Sequence, residues 1–288
     1  MTTVFVLANC QSVGLAHAIK LMVPGANAVA GRVHLIQPAN RAVILDKLSR
    51  ADLILMQELR NFGELNTDHV KSLFPEKTIS IPNIYYRDFH PDACYIGPNA
   101  ARVTSPIGDY HSAVVLDSFL RGHSEQECAA RFNRDEFARL GLLPEAVNSL
   151  AVLEQRDKGL DVPVAPIIRR YQDMKTVFMY TINHPKATLM KDVAEAALRL
   201  AGIKVQDYDP GLAYDNLMFG PLLAVHPFLS QSLGFDVNFQ RWKLSGADGQ
   251  FHFLGLQEFI AASYKIYLAA DRDTLVLQSP DALKTVFS

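Results

Sequence analysis

Short apolar segments that end in polar clusters constrain the fold of this chain most. The first of them, Val4 to Ala8, reads VFVLA, a run typical of a strand buried on both faces of a parallel sheet. The polar residues Asn9 to Ser12 follow, and apolar residues at helical spacing then continue until Pro24-Gly25 ends the element. This part of the chain is predicted to form a strand, a polar turn and a helix.

The same unit recurs in the first third of the chain. Further strands are predicted at Val33–Ile36, Asp52–Met56 and Thr78–Ile81, and a helix is predicted at Ala42–Leu48. Because short apolar strands alternate with helices, we predict an α/β fold, a parallel sheet flanked by helices with right-handed crossovers.

From Ile84 to Lys175 the strand pattern stops. This stretch begins irregular, aromatic and rich in turn residues, and helical spacing then resumes, with Pro144 at a position that suits a first helical turn. We interpret it as a largely helical insertion, approximately residues 84–175, in a single domain that spans residues 1–288.

A buried strand is predicted again at Val177–Ile182, which reads VFMYTI and ends in a polar cluster. A helix from Thr188 to Ala201 follows, and Gly202 is expected to close it in a left-handed conformation. Gly255–Leu268 is predicted to be the last helix, and the tail after Asp271 receives no assignment.

Composition and charge exclude several functional classes. With 28 Lys and Arg against 30 Asp and Glu, the formal net charge is −2, so no overall field attracts nucleic acid or anionic lipid. The sequence has no apolar run long enough to span a bilayer, and its start lacks the basic region of a secretory signal. It also lacks the glycine-rich phosphate loops and the Gly-x-Ser-x-Gly elbow of serine hydrolases.

The three cysteines, Cys10, Cys94 and Cys128, are an odd number and lie far apart in the sequence. They form no Cys-x-x-Cys pair, and the histidines have no metal-ligand spacing, so neither a disulfide framework nor a metal site is expected. This pattern favours a reducing, cytoplasmic location.

Cys10 is the strongest catalytic candidate. It follows a predicted buried strand and opens a helix, whose free N–H groups carry positive partial charge and favour a thiolate. A thiolate would make Cys10 a nucleophile at neutral pH. A buried structural cysteine is the alternative interpretation.

His184 is predicted at the tip of a later strand, at the same edge of the sheet as Cys10. An imidazole can take a proton from a thiol or from an acceptor hydroxyl and return it to a leaving group, so His184 is the candidate general base. As an alternative, a histidine before Pro185 serves only in the turn that starts the next helix.

Several amides are predicted to meet at this edge, because the carboxyl ends of parallel strands lie together. Neutral amides can hold an oxyanion or a substrate without adding charge. The candidates are Asn9, Gln11, Gln57, Asn83 and Asn183. Capping of a strand or helix end is the alternative for each.

Other residues are assigned to ligand binding on weaker sequence evidence. Tyr110 and His111 lie in the irregular segment and are expected to touch a ligand from above the sheet edge, although a surface loop is the simpler explanation. Ser12, Lys186 and Arg169 are the candidate cofactor-binding residues, the two cations because they can meet phosphate groups. A solvated helix face is the alternative for both cations.

The combination of Asn9-Cys10-Gln11 after the first strand, Pro82-Asn83 before aromatic residues, and Asn183-His184-Pro185 resembles the WcbI-type polysaccharide biosynthesis family. The resemblance covers most of the first two hundred residues. It implies an α/β core of the SGNH-hydrolase or flavodoxin-like kind, binding of coenzyme A, and acetylation of a capsular or other surface polysaccharide precursor.

The activity implied by this resemblance is transfer of acetyl from acetyl-coenzyme A, a small-molecule donor, to a saccharide hydroxyl. In one mechanism Cys10 attacks the thioester and His184 then activates the acceptor; in the other, His184 activates the sugar directly and Cys10 only positions the donor. Two alternatives stay open: an ester or thioester hydrolase that uses the same residues, and a non-catalytic carbohydrate- or nucleotide-binding protein.

Overall fold

The computed structural model describes residues 2–98, 101–213, 215–235, 237, 239–244 and 251–278. Contacts divide the chain into two compact units. The first comprises the described residues up to Tyr85, Leu150–Met179 and Asn183–Leu217, and the second comprises Tyr86–Ser149, Tyr180–Ile182 and the described residues from Met218 onward.

The predicted insertion at 84–175 does not coincide with either unit. Its first part, Tyr86–Ser149, belongs to the second unit, whereas its last part packs with the sheet of the first unit. Part of the predicted tail, residues 279–288, lies outside the described residues.

The described chain contains short strands and mostly short helices. The strands are β1 (Thr3–Ala8), β2 (Asn27–Arg32), β3 (Leu53–Gln57), β4 (Thr78–Ile81), β5 (Ala93–Cys94), β6 (His111–Ser112), β7 (Trp242–Lys243) and β8 (Phe253–Leu254). The α-helices are α1 (Ser12–Met22), α2 (Arg41–Ser49), α3 (Thr67–Leu73), α4 (Ala113–Leu120), α5 (Glu125–Ala130), α6 (Arg134–Arg139), α7 (Pro144–Val147), α8 (Ser149–Arg156), α9 (Ala165–Asp173), α10 (Ala187–Leu200), α11 (Pro227–Leu233) and α12 (Leu256–Ala269).

Four parallel strands form the sheet of the first unit, in the order β2-β1-β3-β4. Strand β1 lies between β2 and β3, and its residues from Val4 to Ala8 are all buried. Strands β3 and β4 are buried along their whole length. The apolar runs that predicted β1, β3 and β4 therefore mark enclosed strands, and the α/β fold class is confirmed.

Successive residues of a strand point to opposite faces of the sheet, and apolar residues on both faces need helices to bury them. Phe5 and Leu7 of β1 form a core cluster with Leu48 of α2 and Val70 of α3. Helix α1 packs against β1 and against α10. Gly14 of α1 permits this close packing, since a Cβ atom there would lie 3.2 Å from Cγ of Met190 in α10.

The strand predicted at Val33–Ile36 is wrong. The strand at this place in the fold is β2, Asn27–Arg32, and residues Val33–Leu35 form a 3-10 turn. Strand β2 mixes exposed, half-buried and buried residues, so its sequence forms no continuous apolar run. Val33 and Ile36 are apolar because they pack, half-buried, against the core cluster under the sheet.

The strand predicted at Val177–Ile182 is also wrong. The chain folds back here, with an isolated antiparallel bridge between Met179 and Pro185 and a hydrogen bond from the N–H of Lys186 to the carbonyl of Phe178, 2.9 Å. Phe178 and Met179 are buried, so the apolar run indicates burial. A short apolar run occurs in buried loops as well as in buried strands, and it does not distinguish the two. His184 consequently lies in a loop before α10.

The helices predicted from periodicity are confirmed. Helix α10 covers the predicted helix at Thr188–Ala201, and Gly202 follows it with φ +70°. Helix α12 matches the predicted last helix, and Pro144 occupies the first position of α7.

The second unit is mainly helical, and its helices α4, α5 and α12 pack against one another. Two short antiparallel pairs, β5-β6 and β7-β8, accompany them. The ring of Trp242 in β7 stacks on Phe259 of α12 with centroids 4.7 Å apart. No helix in the described part of the chain combines the length and the apolar character needed to cross a membrane.

Replacing Gly31 of β2 by alanine is expected to destabilise the first unit. The added Cβ would lie 2.8 Å from Cε1 of Phe5 and 3.2 Å from Cδ1 of Leu7, both buried. Such overpacking costs about 1–3 kcal/mol, which urea unfolding followed by circular dichroism would measure. Asn27→Ala, at an exposed position of the same strand, is the control and should change stability by less than about 0.5 kcal/mol. Equal midpoints for the two variants would contradict this prediction.

Candidate active site

Polar side chains of the first unit meet at the carboxyl edge of its sheet. Asn9 follows β1, Gln57 ends β3 and Asn83 follows β4. The N–H of Asn9 donates to Oε1 of Gln57 and its Nδ2 donates to Oδ1 of Asn83, each at 2.9 Å. The structure therefore brings together amides that stand 48 and 74 residues apart in the sequence.

Gln11 connects this amide cluster with the loop that carries His184. Its Nε2 donates to the carbonyls of Ile84, at 2.8 Å, and of Asn183, at 2.9 Å. Its Oε1 accepts from Nε2 of Gln57 at 2.9 Å and from the N–H of Ile84 at 3.3 Å. Gln11 is 1% exposed, and both hydrogens of its Nε2 are used. Its side chain therefore links the segments that contain Gln57, Ile84 and Asn183.

Counting hydrogens shows which amides can still bind a ligand. Both Nε2 hydrogens of Gln57 are used, by Oε1 of Gln11 at 2.9 Å and by the carbonyl of Pro82 at 3.3 Å. Across the described residues, Nδ2 of Asn83 donates no hydrogen bond, whereas the backbone N–H of Cys10 interacts with the Cys10 thiol. Asn83 thus offers a donor to a ligand, whereas Gln11 and Gln57 support the turn.

The protonation state predicted for Cys10 is wrong. Helix α1 begins at Ser12, so Cys10 precedes the helix by two residues, and burial raises the pKa of its thiol above the usual value. The N–H groups of Cys10 and Gln11 and the charge of Arg32 lower that pKa by less than burial raises it. The thiol is therefore neutral at pH 7 in the resting protein.

Arg32 is a site residue that the sequence did not reveal. The register of the sheet pairs it with Ala8, so it lies at the carboxyl end of β2, and its exposed guanidinium acts on the Cys10 thiol. Its place follows directly from the bounds of β2. The missed prediction of that edge strand is the reason that Arg32 was missed.

His184 is half-buried in the loop that Gln11 holds. Burial lowers the pKa of its imidazole to about 4, and the charge of Asp215 opposes this shift. The imidazole is therefore neutral at pH 7 and able to accept a proton. Asp215 lies in a part of the chain for which the sequence suggested no role.

The three predicted cofactor-binding residues lie in different surroundings. Ser12 starts α1, and its buried Oγ has no hydrogen-bond partner among the described residues. Lys186 is the half-buried N-cap residue of α10, and burial lowers its pKa while the charge of Asp215 opposes this. Arg169 is exposed on α9 and forms an ion pair with Glu154, so no described contact joins it to the cluster.

Tyr110 and His111 belong to the second unit, where both are buried. The hydroxyl of Tyr110 accepts a hydrogen bond from Thr181 at 3.2 Å. The two ring nitrogens of His111 bond the hydroxyl of Tyr267 at 2.9 Å and the carbonyl of Val103 at 2.8 Å, and burial lowers the pKa of this imidazole to about 4. These contacts are structural, and contact of either residue with a ligand stays a prediction.

A cavity of about 510 Å³ in the first unit lies at the opposite edge of the sheet. Its lining includes Asp52, Leu53 and Thr78, at the starts of β3 and β4. Ligands of parallel sheets bind at the other ends of the strands, so this cavity is separate from the candidate site. No cluster of His, Cys, Asp or Glu suited to a metal ion occurs within the described ranges.

Replacing Gln11 is expected to destabilise the protein strongly. Gln11→Ala removes one hydrogen bond each from two carbonyls and two donors, and a buried group left without its partner costs about 1–3 kcal/mol. Gln11→Glu should fail as well, because a carboxylate cannot donate to the carbonyls of Ile84 and Asn183. The exposed Gln37→Ala is the control in urea unfolding. Wild-type stability of Gln11→Glu would show that the side chain acts by its shape alone.

The chain is similar to one family of known proteins. The family model of the polysaccharide biosynthesis enzyme WcbI matches residues 3–206, which include Cys10, His184 and the amides of the cluster. No curated protein and no solved structure gives a significant match. Because the match covers most of the 288 residues, the chain belongs to the WcbI family of polysaccharide biosynthesis enzymes.

Proposed function

We propose that this enzyme of polysaccharide biosynthesis transfers an acetyl group from acetyl-coenzyme A to a sugar hydroxyl. The observation that carries the proposal is the hydrogen bond from Gln11 to the carbonyl of Asn183, 2.9 Å. It joins the turn that contains a thiol, Cys10, to the loop that contains a neutral imidazole, His184. A thiol and a base fixed at one sheet edge are the groups that acyl transfer needs.

In the covalent version of this reaction, His184 takes the proton of the Cys10 thiol, and the sulfur attacks the carbonyl carbon of the acetyl thioester. Nδ2 of Asn83 donates no hydrogen bond within the described residues, and we assign it to the oxyanion together with the backbone N–H of Cys10. The bond between the carbonyl carbon and the coenzyme sulfur breaks. The coenzyme leaves as a thiol with the proton from His184, and acetyl-Cys10 remains.

In the second half of the covalent reaction, His184 takes the proton of the sugar hydroxyl, whose oxygen attacks acetyl-Cys10. The carbon–sulfur bond breaks, the ester leaves, and the proton returns to the Cys10 thiol. In the direct version, His184 activates the sugar hydroxyl for attack on the thioester itself, and Cys10 only positions the donor. A neutral imidazole serves both versions.

The cations around the cluster fit a donor that carries phosphates. Arg32 is exposed at the end of β2, and Lys186 is half-buried at the start of α10. Cations at such positions bind phosphate oxygens by charge-assisted hydrogen bonds. We assign both residues to the donor, together with the buried hydroxyl of Ser12 as a hydrogen-bond partner for it.

Replacing Cys10 separates the two versions of the reaction. If acetyl-Cys10 is an intermediate, incubation with acetyl-coenzyme A alone should add one acetyl group to Cys10, detected by mass spectrometry of the intact protein and its peptides. Cys10→Ala should then lose transfer activity by about 100-fold or more. The buried Cys128→Ala is the matched control and should keep activity.

Full activity of Cys10→Ala, with loss of activity in His184→Gln, would establish direct transfer. Full activity of both variants would overturn the roles of Cys10 and His184, and a wild-type protein that transfers acetyl to no saccharide would overturn the proposed function. Release of free acetate at the same rate with and without a saccharide acceptor would identify a hydrolase, since water is then the acceptor.

The pH dependence of activity follows from the burial of His184. The imidazole must be neutral to accept a proton, and its pKa is about 4, so kcat/KM should fall only as pH drops towards about 4. A free imidazole would place this acid limb near about 6.5. The measurement is kcat/KM for acetyl-coenzyme A between pH 4 and pH 8, as far as the protein stays folded. An acid limb near pH 6.5 would contradict the assignment.

A further inference from the structure

Asp215 is fixed by two backbone donors near the loop of His184. One oxygen of its carboxylate, Oδ2, accepts from the N–H of Ala187 at 2.8 Å, and Oδ1 accepts from the N–H of Leu217 at 3.1 Å. Ala187 is the first residue of α10, so the carboxylate caps this 14-residue helix and meets the positive end of its dipole. Asp215 lies beyond the residues matched by the family model, 3–206.

The loop from Asn183 to Ala187 is held at both ends. Gln11 bonds the carbonyl of Asn183 before His184, and Asp215 bonds the N–H of Ala187 after it. Between these points, the N–H of Lys186 donates to the carbonyl of Phe178 at 2.9 Å. The backbone around His184 is therefore restrained on each side, which limits where the imidazole can lie.

Asp215 also provides the charge that His184 needs during catalysis. Its carboxylate raises the pKa of His184 against the effect of burial. A general base becomes a cation when it takes a proton, and a nearby carboxylate stabilises that cation more than the neutral ring.

We propose that Asp215 is a positioning residue for His184, which holds the loop of the imidazole through Ala187 and stabilises the imidazolium formed during acyl transfer. This inference rests on the proposed function, since it assigns the base of that reaction its partner. Asp215 does not exchange a proton itself and does not touch the substrate.

The experiment compares Asp215→Asn with Asp209→Asn. Asparagine at 215 keeps one oxygen, which can still accept from the N–H of Ala187, but it removes the charge and the second acceptor, which Leu217 uses. Asp209 is an exposed aspartate in the same segment, and it caps the N–H of Gly211 at 2.8 Å, so it is a matched control. The ring signal of His184, assigned by its loss in His184→Gln, is followed by NMR from pH 8 downward as far as the protein stays folded.

In Asp215→Asn, protonation of His184 should begin at lower pH than in the wild type, and kcat with acetyl-coenzyme A should fall by roughly 10-fold to 1000-fold, more than KM rises. Asp209→Asn should leave both unchanged. An unchanged His184 titration together with unchanged kcat in a folded Asp215→Asn would overturn the proposal.

Failure of the proposed function has a different signature. It would appear as no acetyl transfer to a saccharide by the wild-type protein, whatever the His184 titration does in Asp215→Asn. An unaltered Asp215→Asn beside an inactive His184→Gln would instead leave the acyltransferase standing and remove only the role of Asp215.

Discussion

The side chain of Gln11 is the contact on which the candidate site depends. It bonds Gln57 at the end of β3, Ile84 after β4 and Asn183 in the loop before α10. An amide suits this place because it donates two hydrogen bonds and accepts two, so it can satisfy backbone groups of several loops at once. With these groups buried and paired, the loops cannot separate without leaving several polar atoms unsatisfied. These hydrogen bonds therefore hold the loops of the site together.

Strands β1, β3 and β4 of the sheet were predictable from the sequence, and β2 was not. Almost all residues of β1, β3 and β4 are buried, and their apolar residues form runs that stand out. Strand β2 mixes exposed and buried positions and has mostly small or polar side chains, NAVAGR. The run Val177–Ile182 had the opposite problem, because its apolar residues are buried in a segment that folds back on itself. Periodicity reports burial, and burial alone does not distinguish a strand from a buried loop.

The meeting of the site residues was predictable, but their chemistry was not. Parallel strands place their carboxyl ends together, so the convergence of Asn9, Gln57 and Asn83 follows from topology. The pKa of Cys10 depends on its distance from the helix start and on its burial, and neither can be read from neighbouring residues in the sequence. Asp215 was missed for a similar reason, since only tertiary folding brings it to the start of α10.

Burial and charge act against each other at the two reactive groups. Burial keeps Cys10 as a thiol and His184 as an imidazole, the pair of neutral forms. The charge of Arg32 favours the thiolate of Cys10, and the charge of Asp215 favours the imidazolium of His184. These are the two forms that a proton transfer from Cys10 to His184 would produce. The effect of Arg32 is reduced by its exposure to water, whereas the half-buried Asp215 is screened less. In the proposed reaction, these fixed charges would stabilise the thiolate–imidazolium pair, although both groups are neutral in the resting site.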